Sequence, residues 1–248
     1  MLHRLHNSLR ALLRPRLLDY MGLRDAMEYG RISYAQEGED VLLWAMLGGQ
    51  HYSGTYVEVG CNHPIKCSNT AFLYERGWTG VAIDPNPDFA ELFLSKRPKD
   101  TFVNVGIGRP GLLTYYRFNE ALLNTFSRAK AQEYERNPQY HIVGTQRVEI
   151  VALAQCLSSI WPDGNQIDFL SVDAEGMDLE VLKSHDYERF PVSFICAEID
   201  SPTLAQAMSE PLVALLGERG FVLVCKTLKS ALFVNHREVK RFGVPTTR

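Results

Sequence analysis

Residues 55–64 read TYVEVGCNHP, a short run of β-branched and aromatic residues that ends in Gly60 and then in residues favouring turns. Such a run predicts a buried strand that delivers a loop at its C-terminal end. The next apolar run, VAID at 81–84, ends in an acid 24 positions after Gly60. Nucleotide-binding α/β folds place a carboxylate for ribose hydroxyls about 20 residues beyond the first loop. Gly60 and Asp84 therefore predict one nucleotide crevice.

Strands and helices alternate outward from this pair. A helix is expected over 71–76, ended by Gly77, and another over 87–96, followed by a strand at 101–105. Gly108-Arg-Pro-Gly111 turns the chain into an added strand at 112–118. Residues 119–146 are rich in Asn, Gln, Glu, Arg and Tyr, with one helix expected near 127–136. They suit an inserted cap over a site, or a plain surface excursion. Further strands are expected at 147–151, 167–173 and 192–198, with helices at 153–160 and 203–219. The strands at 221–225 and 231–235 are too close for a parallel crossover and must run antiparallel. Dehydrogenase-type domains keep a parallel sheet, whereas an antiparallel final strand is the habit of methyltransferases that use S-adenosylmethionine. The first loop agrees, because a dinucleotide pyrophosphate needs the small residues of GxGxxG and only Gly60 is in place.

With 248 residues, 46% of them hydrophobic, the chain suffices for one main domain with a large core, and a net charge of −3 gives no reason to expect nucleic acid as a partner. The five cysteines form no CxxC pair, so neither a disulfide framework nor a thiolate zinc site is signalled. No apolar stretch reaches the roughly 18 residues of a membrane span, and no signal peptide is legible at the N-terminus. A cytoplasmic protein is expected. Residues 1–30 form a separate basic amphipathic segment: Leu2, Leu5, Leu9, Leu12, Leu13 and Leu17 recur at helical spacing beside Arg4, Arg10, Arg14 and Arg16. This stripe suits peripheral contact with the inner face of an anionic membrane, a partner protein, or docking on its own domain or on a second subunit of a homo-oligomer. The main domain is expected over 31–248. Ser33 and the acids before the apolar run at 41–47 look like a helix start, with Gln36, Glu37 and Glu39 offering more polar groups than a cap needs.

Five segments, SYAQEGED at 33–40, YVEVGCNHP at 56–64, SNT at 68–70, GWTGVAIDPNP at 77–87 and DFLSVDAEGMDLEVLKS at 168–184, resemble the FkbM family of S-adenosylmethionine-dependent methyltransferases. They span most of residues 33–200 in the family's order. Cys61 stands where that family commonly has alanine, a small change for the loop. The resemblance implies an α/β class I methyltransferase fold, Rossmann-like, with a seven-stranded, mostly parallel sheet, a terminal antiparallel strand and helices on both faces. It also implies S-adenosylmethionine as cofactor and O-methylation of a hydroxyl on a sugar, glycan or small-molecule acceptor.

Ligands of open α/β sheets sit at the carboxyl ends of the strands, and within the resemblance this assigns chemistry by position. Cofactor contacts are expected from Gln36, Glu58, Gly60, Asn62, Asp84, Asn104 and Asp173, with Asp84 on the ribose and Asn104 bordering adenine. Asp173, Glu175 and His63 are the candidates for general base. Each has a plainer alternative: the two acids complement a helix terminus, and His63 before Pro64 shapes the loop. A divalent metal that acidifies the acceptor is a further option, with Glu198 and Asp200 as additional ligands. Two other classes remain open. One is a nucleotide-dependent oxidoreductase, disfavoured by the missing glycines, and the other is a non-catalytic protein of this fold that recruits a partner or membrane.

Overall fold

The computed structural model describes residues 31–48 and 53–238; the basic stripe expected within residues 1–30 lies outside them. The strands are β1 (Thr55–Val59), β2 (Thr79–Ile83), β3 (Thr101–Val103), β4 (Gly106–Ile107), β5 (Gly111–Phe118), β6 (Ile142–Val151), β7 (Ile167–Val172), β8 (Val192–Glu198), β9 (Phe221–Lys226) and β10 (Ser230–Asn235). The helices are α1 (Glu39–Met46), α2 (Ala71–Tyr74), α3 (Ala90–Lys96), α4 (Arg128–Tyr134), α5 (Leu153–Ile160), α6 (Asp178–Lys183), α7 (Leu204–Ala207) and α8 (Pro211–Glu218).

Seven strands form one sheet in the order β3-β2-β1-β7-β8-β10-β9. β1 pairs in parallel with β2 on one side and β7 on the other, so the chain order reverses between β1 and β7. That reversal opens a crevice at the carboxyl ends of the two strands. β10 is antiparallel to both β8 and β9. Only Thr227–Lys229 separate β9 from β10, and the Thr227 N–H closes the turn on the Ser230 carbonyl at 2.8 Å, as the short gap in the sequence requires. This is the seven-stranded class I methyltransferase arrangement expected above.

The central strands are buried on both faces, which explains their unbroken apolar character. Val57, Val81, Leu170 and Ile195 pack with Leu157 of α5, Leu182 of α6 and Leu216 of α8. On the other face Tyr56, Phe169, Phe194 and Leu232 pack with Leu43 of α1, Leu73 of α2 and Trp78. Ala82 packs beside Cys61, Phe89 and Phe93 of α3.

Three elements depart from the sequence expectation. β6 begins at Ile142 and pairs with β5 along a long antiparallel ribbon, with β4 on its other edge. The insert therefore narrows to residues 119–141 at the ribbon's tip. The first half of β6 was hidden because the strand is only half buried, alternating between covered and exposed side chains, so few apolar residues mark it. The single helix expected over 203–219 is two helices, since Glu210 before Pro211 is extended (φ −67°, ψ 138°) and proline disfavours a helical predecessor. Ser33 does not cap α1, which follows Gly38 in a left-handed conformation (φ 86°). Instead Asp40 accepts from the Ser33 hydroxyl at 2.6 Å and the Tyr34 N–H at 2.7 Å, which folds residues 33–40 into a loop.

One buried polar network fixes the start of the fold. Arg97, 2% exposed, follows α3 and reaches back under the β1 loop. Its Nη2 donates to the Tyr56 hydroxyl at 2.9 Å and Thr70 Oγ1 at 2.7 Å, and its Nε to Asp100 Oδ2 at 2.6 Å. Its Nη1 donates to Ser68 Oγ at 3.2 Å and to the Pro64 carbonyl at 3.3 Å, and pairs with Glu58 Oε2 at 3.4 Å. Glu58 also accepts from Thr70 Oγ1 at 2.6 Å and the Asn69 N–H at 3.1 Å. Breaking a buried pair leaves an uncompensated charge and costs about 3–5 kcal/mol. Arg97→Met, which strands Glu58 and Asp100 together, is expected to lower the urea-unfolding free energy by about that amount; a loss under 1 kcal/mol would mean the network is slack.

Candidate active site

A cleft of about 340 Å³ opens at the carboxyl ends of β1 and β7. One wall is the loop after β1 and the end of β2, the other is the Asp173–Gly176 turn after β7, and the insert supplies the roof. Gln36, Gly60, Asn62, Asp84, Asp173 and Glu175 line it, and so do Glu198 and Asp200, so eight of the residues singled out in the sequence converge on one cavity.

The two walls nearly touch. The Gly60 N–H bonds the Ile83 carbonyl at 2.9 Å and the Asp173 N–H bonds the Val59 carbonyl at 3.0 Å. Gly60 has φ +76°, and a Cβ there would stand 1.7 Å from the Asp173 carbonyl oxygen. Only glycine fits. Beyond it Asn62 also adopts positive φ, 46°, a conformation asparagine tolerates better than most residues. The turned backbone directs the Asn62 N–H to Asp84 Oδ2 at 2.9 Å, while Asp84 Oδ1 accepts from the Asn86 N–H at 2.8 Å. Each carboxylate oxygen keeps capacity for a further donor, so Asp84 can accept hydroxyl groups from a ligand in the cleft. Burial pushes its pKa up to about 6, with the two backbone N–H groups pulling the other way.

Glu58, His63 and Asn104 do not line the cleft. Glu58 belongs to the Arg97 network. His63 Nδ1 accepts the N–H groups of Ile65 at 3.1 Å and Lys66 at 3.0 Å, which shapes the loop as its plainer alternative supposed. Asn104 Nδ2 donates to the Asp84 carbonyl at 2.8 Å and braces the end of β2 from outside. Glu37 and Glu39 are turned to the β9–β10 turn, where Glu37 accepts the Lys229 N–H at 2.8 Å and Glu39 the Thr227 hydroxyl at 3.3 Å.

The β7 side of the cleft concentrates negative charge. Asp173 opens to the cleft, and among the described residues its carboxylate accepts no hydrogen bond. Crowding by protein, then the charges of Glu175, Glu198 and Asp178, push its carboxyl well above the usual range against the pull of Lys130. Cleft water tempers the size of that shift but not its sign. Burial and Glu198 raise Glu175 to about 7, and burial and Glu198 likewise raise Asp178 to about 7. Burial works against the charge of Lys130, yet Glu198, Glu175 and Asp200 outweigh it and hold its pKa above normal. Lys130 pairs with Glu198 at 3.6 Å and Lys229 with Asp200 at 2.8 Å, and among the described residues Asp173, Glu175 and Asp178 have no ion-pair partner. Among the described residues no three of His, Cys, Asp and Glu converge as a metal-ligating group. Glu198 and Asp200 are turned to their lysines, so the donor set considered for a divalent ion is not assembled.

Sequence reasoning missed Lys130, Tyr134 and Thr125 on the insert. The Tyr134 hydroxyl donates to Glu175 Oε2 and Thr125 Oγ1 to the Glu175 carbonyl at 2.8 Å. Spacing i, i+4 could have placed Lys130 and Tyr134 on one helix face, but nothing local says what that face meets.

The FkbM methyltransferase domain model matches residues 58–223, well over half of the chain. The chain belongs to the FkbM methyltransferase family. No curated protein sequence matches it. Among solved structures it is similar to a TehB-like SAM-dependent methyltransferase from Corynebacterium glutamicum, with 12% identity, TM-score 0.41, and coverage of 93% of this chain and 98% of that one. A precorrin-6y C5,15-methyltransferase from Geobacter metallireducens is similar at 14% identity and TM-score 0.36, covering 78% of this chain and 85% of that one. Likeness at that level adds nothing to the family match and the strand order. The FkbM domain is an S-adenosylmethionine-dependent methyltransferase, and among the described residues no helix is long and apolar enough to cross a membrane.

The raised carboxyls set the stability of the domain against pH. Asp84, Glu175 and Asp178 titrate near 6, 7 and 7 when folded and near 4 when unfolded. Their protonated forms therefore contribute stability that is complete below about pH 4 and lost as pH rises through 6 to 7. Thermal melts at fixed ionic strength without cofactor are expected to show this loss, and Asp178→Asn to make it shallower; a flat profile from pH 4 to 7 would contradict the burial of these groups.

Proposed function

We propose that the FkbM domain methylates a hydroxyl oxygen of a sugar, glycan or other small-molecule acceptor. The observation that carries this is Asp173, a carboxylate that lines the cleft and, among the described residues, accepts no hydrogen bond, next to an anionic wall.

The residues present fit the cofactor. Asp84 offers acceptors for the ribose hydroxyls, the Gly60 loop allows close backbone approach, and Gln36 and Asn62 line the same cleft. The surplus of negative charge at Asp173, Glu175 and Asp178 favours the cationic sulfonium and its ammonium group, which in turn would draw these carboxyls back toward their charged forms. S-adenosylmethionine held there would supply an electrophilic methyl group. The chain's share is alignment, which supplies much of the rate of an in-line displacement, and removal of the hydroxyl proton. Asp173 takes that proton, with Glu175 beside it as the partner carboxylate. The two titrate as a pair, so the acid limb of the rate belongs to both.

A methyl ether is the product that separates this assignment from its rivals. Extracts of glycans and small molecules incubated with the enzyme and methyl-labelled S-adenosylmethionine should yield a labelled compound whose label survives mild alkali, as an ester would not. Label on nitrogen, or a base-labile ester, would overturn O-methylation of a hydroxyl; binding of NADH without binding of S-adenosylmethionine would favour an oxidoreductase.

Two substitutions divide the roles. Asp84→Ala removes an acceptor worth roughly 1.5–3 kcal/mol, and calorimetry should find affinity for S-adenosylmethionine about 10- to 100-fold weaker. Asp173→Asn should leave that affinity within a few fold while lowering turnover by about 10² to 10⁴. Near-normal turnover of the Asn variant would move the base to Glu175.

A further inference from the structure

We propose that Tyr134, on the insert, is a positioning residue for methyl transfer: it holds Glu175 in the orientation that lets the Asp173 and Glu175 carboxyls receive the acceptor's proton. This rests on the function proposed above and names a residue that acts through Glu175.

Glu175 cannot hold its own place. Its backbone has φ 48°, a left-handed conformation that a non-glycine residue keeps only when its surroundings impose it. The insert imposes it. Thr125 Oγ1 donates to the Glu175 carbonyl at 2.8 Å and the Tyr134 hydroxyl donates to Glu175 Oε2, so one segment grips both the backbone and the side chain of one residue. Thr125 is fixed by paired hydrogen bonds with Tyr116 of β5, at 2.8 and 3.1 Å. The Tyr134 ring stands edge-on to Phe118 of the same strand, with centroids 5.8 Å apart. Next along the turn, Gly176 leaves so little room that a Cβ would meet Lys130 Cγ at 3.3 Å, so α4 presses on the turn directly.

The grip also decides where a proton goes. Glu175 faces Asp173 on its own turn, Asp178 of α6, Glu198 of β8, Lys130 and Tyr134 of α4, and Lys229 of the β9–β10 turn. Glu198 raises its proton affinity while Tyr134, Lys130 and Lys229 lower it. Of these, Tyr134 is the one with a hydrogen bond on the carboxylate itself. Losing it would free the side chain to rotate and leave the carboxyl protonated to higher pH, where it no longer accepts a proton.

Tyr134→Phe keeps the ring and its contact with Phe118 and removes only the hydroxyl. With ¹³C-labelled glutamate, and Glu175→Gln to assign the resonance, the Glu175 titration midpoint is expected to move up by roughly 0.5–1 pH unit in Tyr134→Phe. With the acceptor identified by label transfer, turnover should fall about tenfold, its acid limb should move up in step, and KM for S-adenosylmethionine should stay within about twofold. An unchanged midpoint, or an unchanged acid limb, would overturn the proposal. If Tyr134→Phe does not fold, the reciprocal measurement remains: in Glu175→Gln the Tyr134 phenol should ionise at lower pH by ultraviolet difference titration, and a phenol that does not move would overturn it equally. The two titrations need no acceptor, so their failure is distinct from a failure of hydroxyl methylation, which the label screen reports.

Discussion

A guanidinium that has no water to turn to organises the nucleotide half of this protein. Arg97 cannot lose its charge, so its burial beneath the first loop obliges the chain to surround it with acceptors. Glu58, Tyr56, Ser68, Thr70, the Pro64 carbonyl and Asp100 meet that demand. They come from β1, the loop after it, the entry to α2 and the approach to β3. One desolvated cation thus ties the strand that delivers the Gly60 loop to the segments on both sides. The same requirement explains why an acid inside β1 and the Ser68-Asn-Thr70 turn stand among the family's segments although neither lines the cleft.

With the loop fixed from below, its upper edge can be pressed against the next strand. Gly60 lies so close to the Asp173 carbonyl that a side chain is excluded, and this closeness brings Asp84 and the Asp173–Glu175 turn onto one cleft. The cost is electrostatic. Asp84, Asp173, Glu175 and Asp178 are each held where burial or a like charge disfavours ionisation. A cationic ligand would relieve that unfavourable arrangement.

The insert completes the site rather than merely covering it. Its ribbon, β5 with β6, brings residues 119–141 back over the carboxyl ends of the parallel sheet, and α4 then sets Lys130 against Glu198 and Tyr134 against Glu175. The Asp173–Glu175 side of the cleft therefore depends on a segment outside the seven-stranded sheet.

Sequence alone determined the sheet and the Gly60–Asp84 wall of the cleft, because those features rest on local chemistry. Apolar runs at 55–59, 167–172 and 192–198 are buried on both faces and announce themselves. The three-residue gap before β10 forces its direction, and Gly60 with Asp84 marks the crevice. The half-buried β6 and the helix break at Pro211 were less legible, the first for want of apolar residues and the second because a continuous polar and apolar pattern masked the proline. What only the tertiary structure decided is which polar groups meet. Glu58 and His63 sit in the same segment as Gly60, yet one turns to a buried arginine and the other to its own loop, while Tyr134 and Lys130 arrive from 40 or more residues away in sequence to hold Glu175 and Glu198. A carboxylate's partner is fixed by distance and burial in three dimensions, and neither quantity is carried by the residues beside it in the chain.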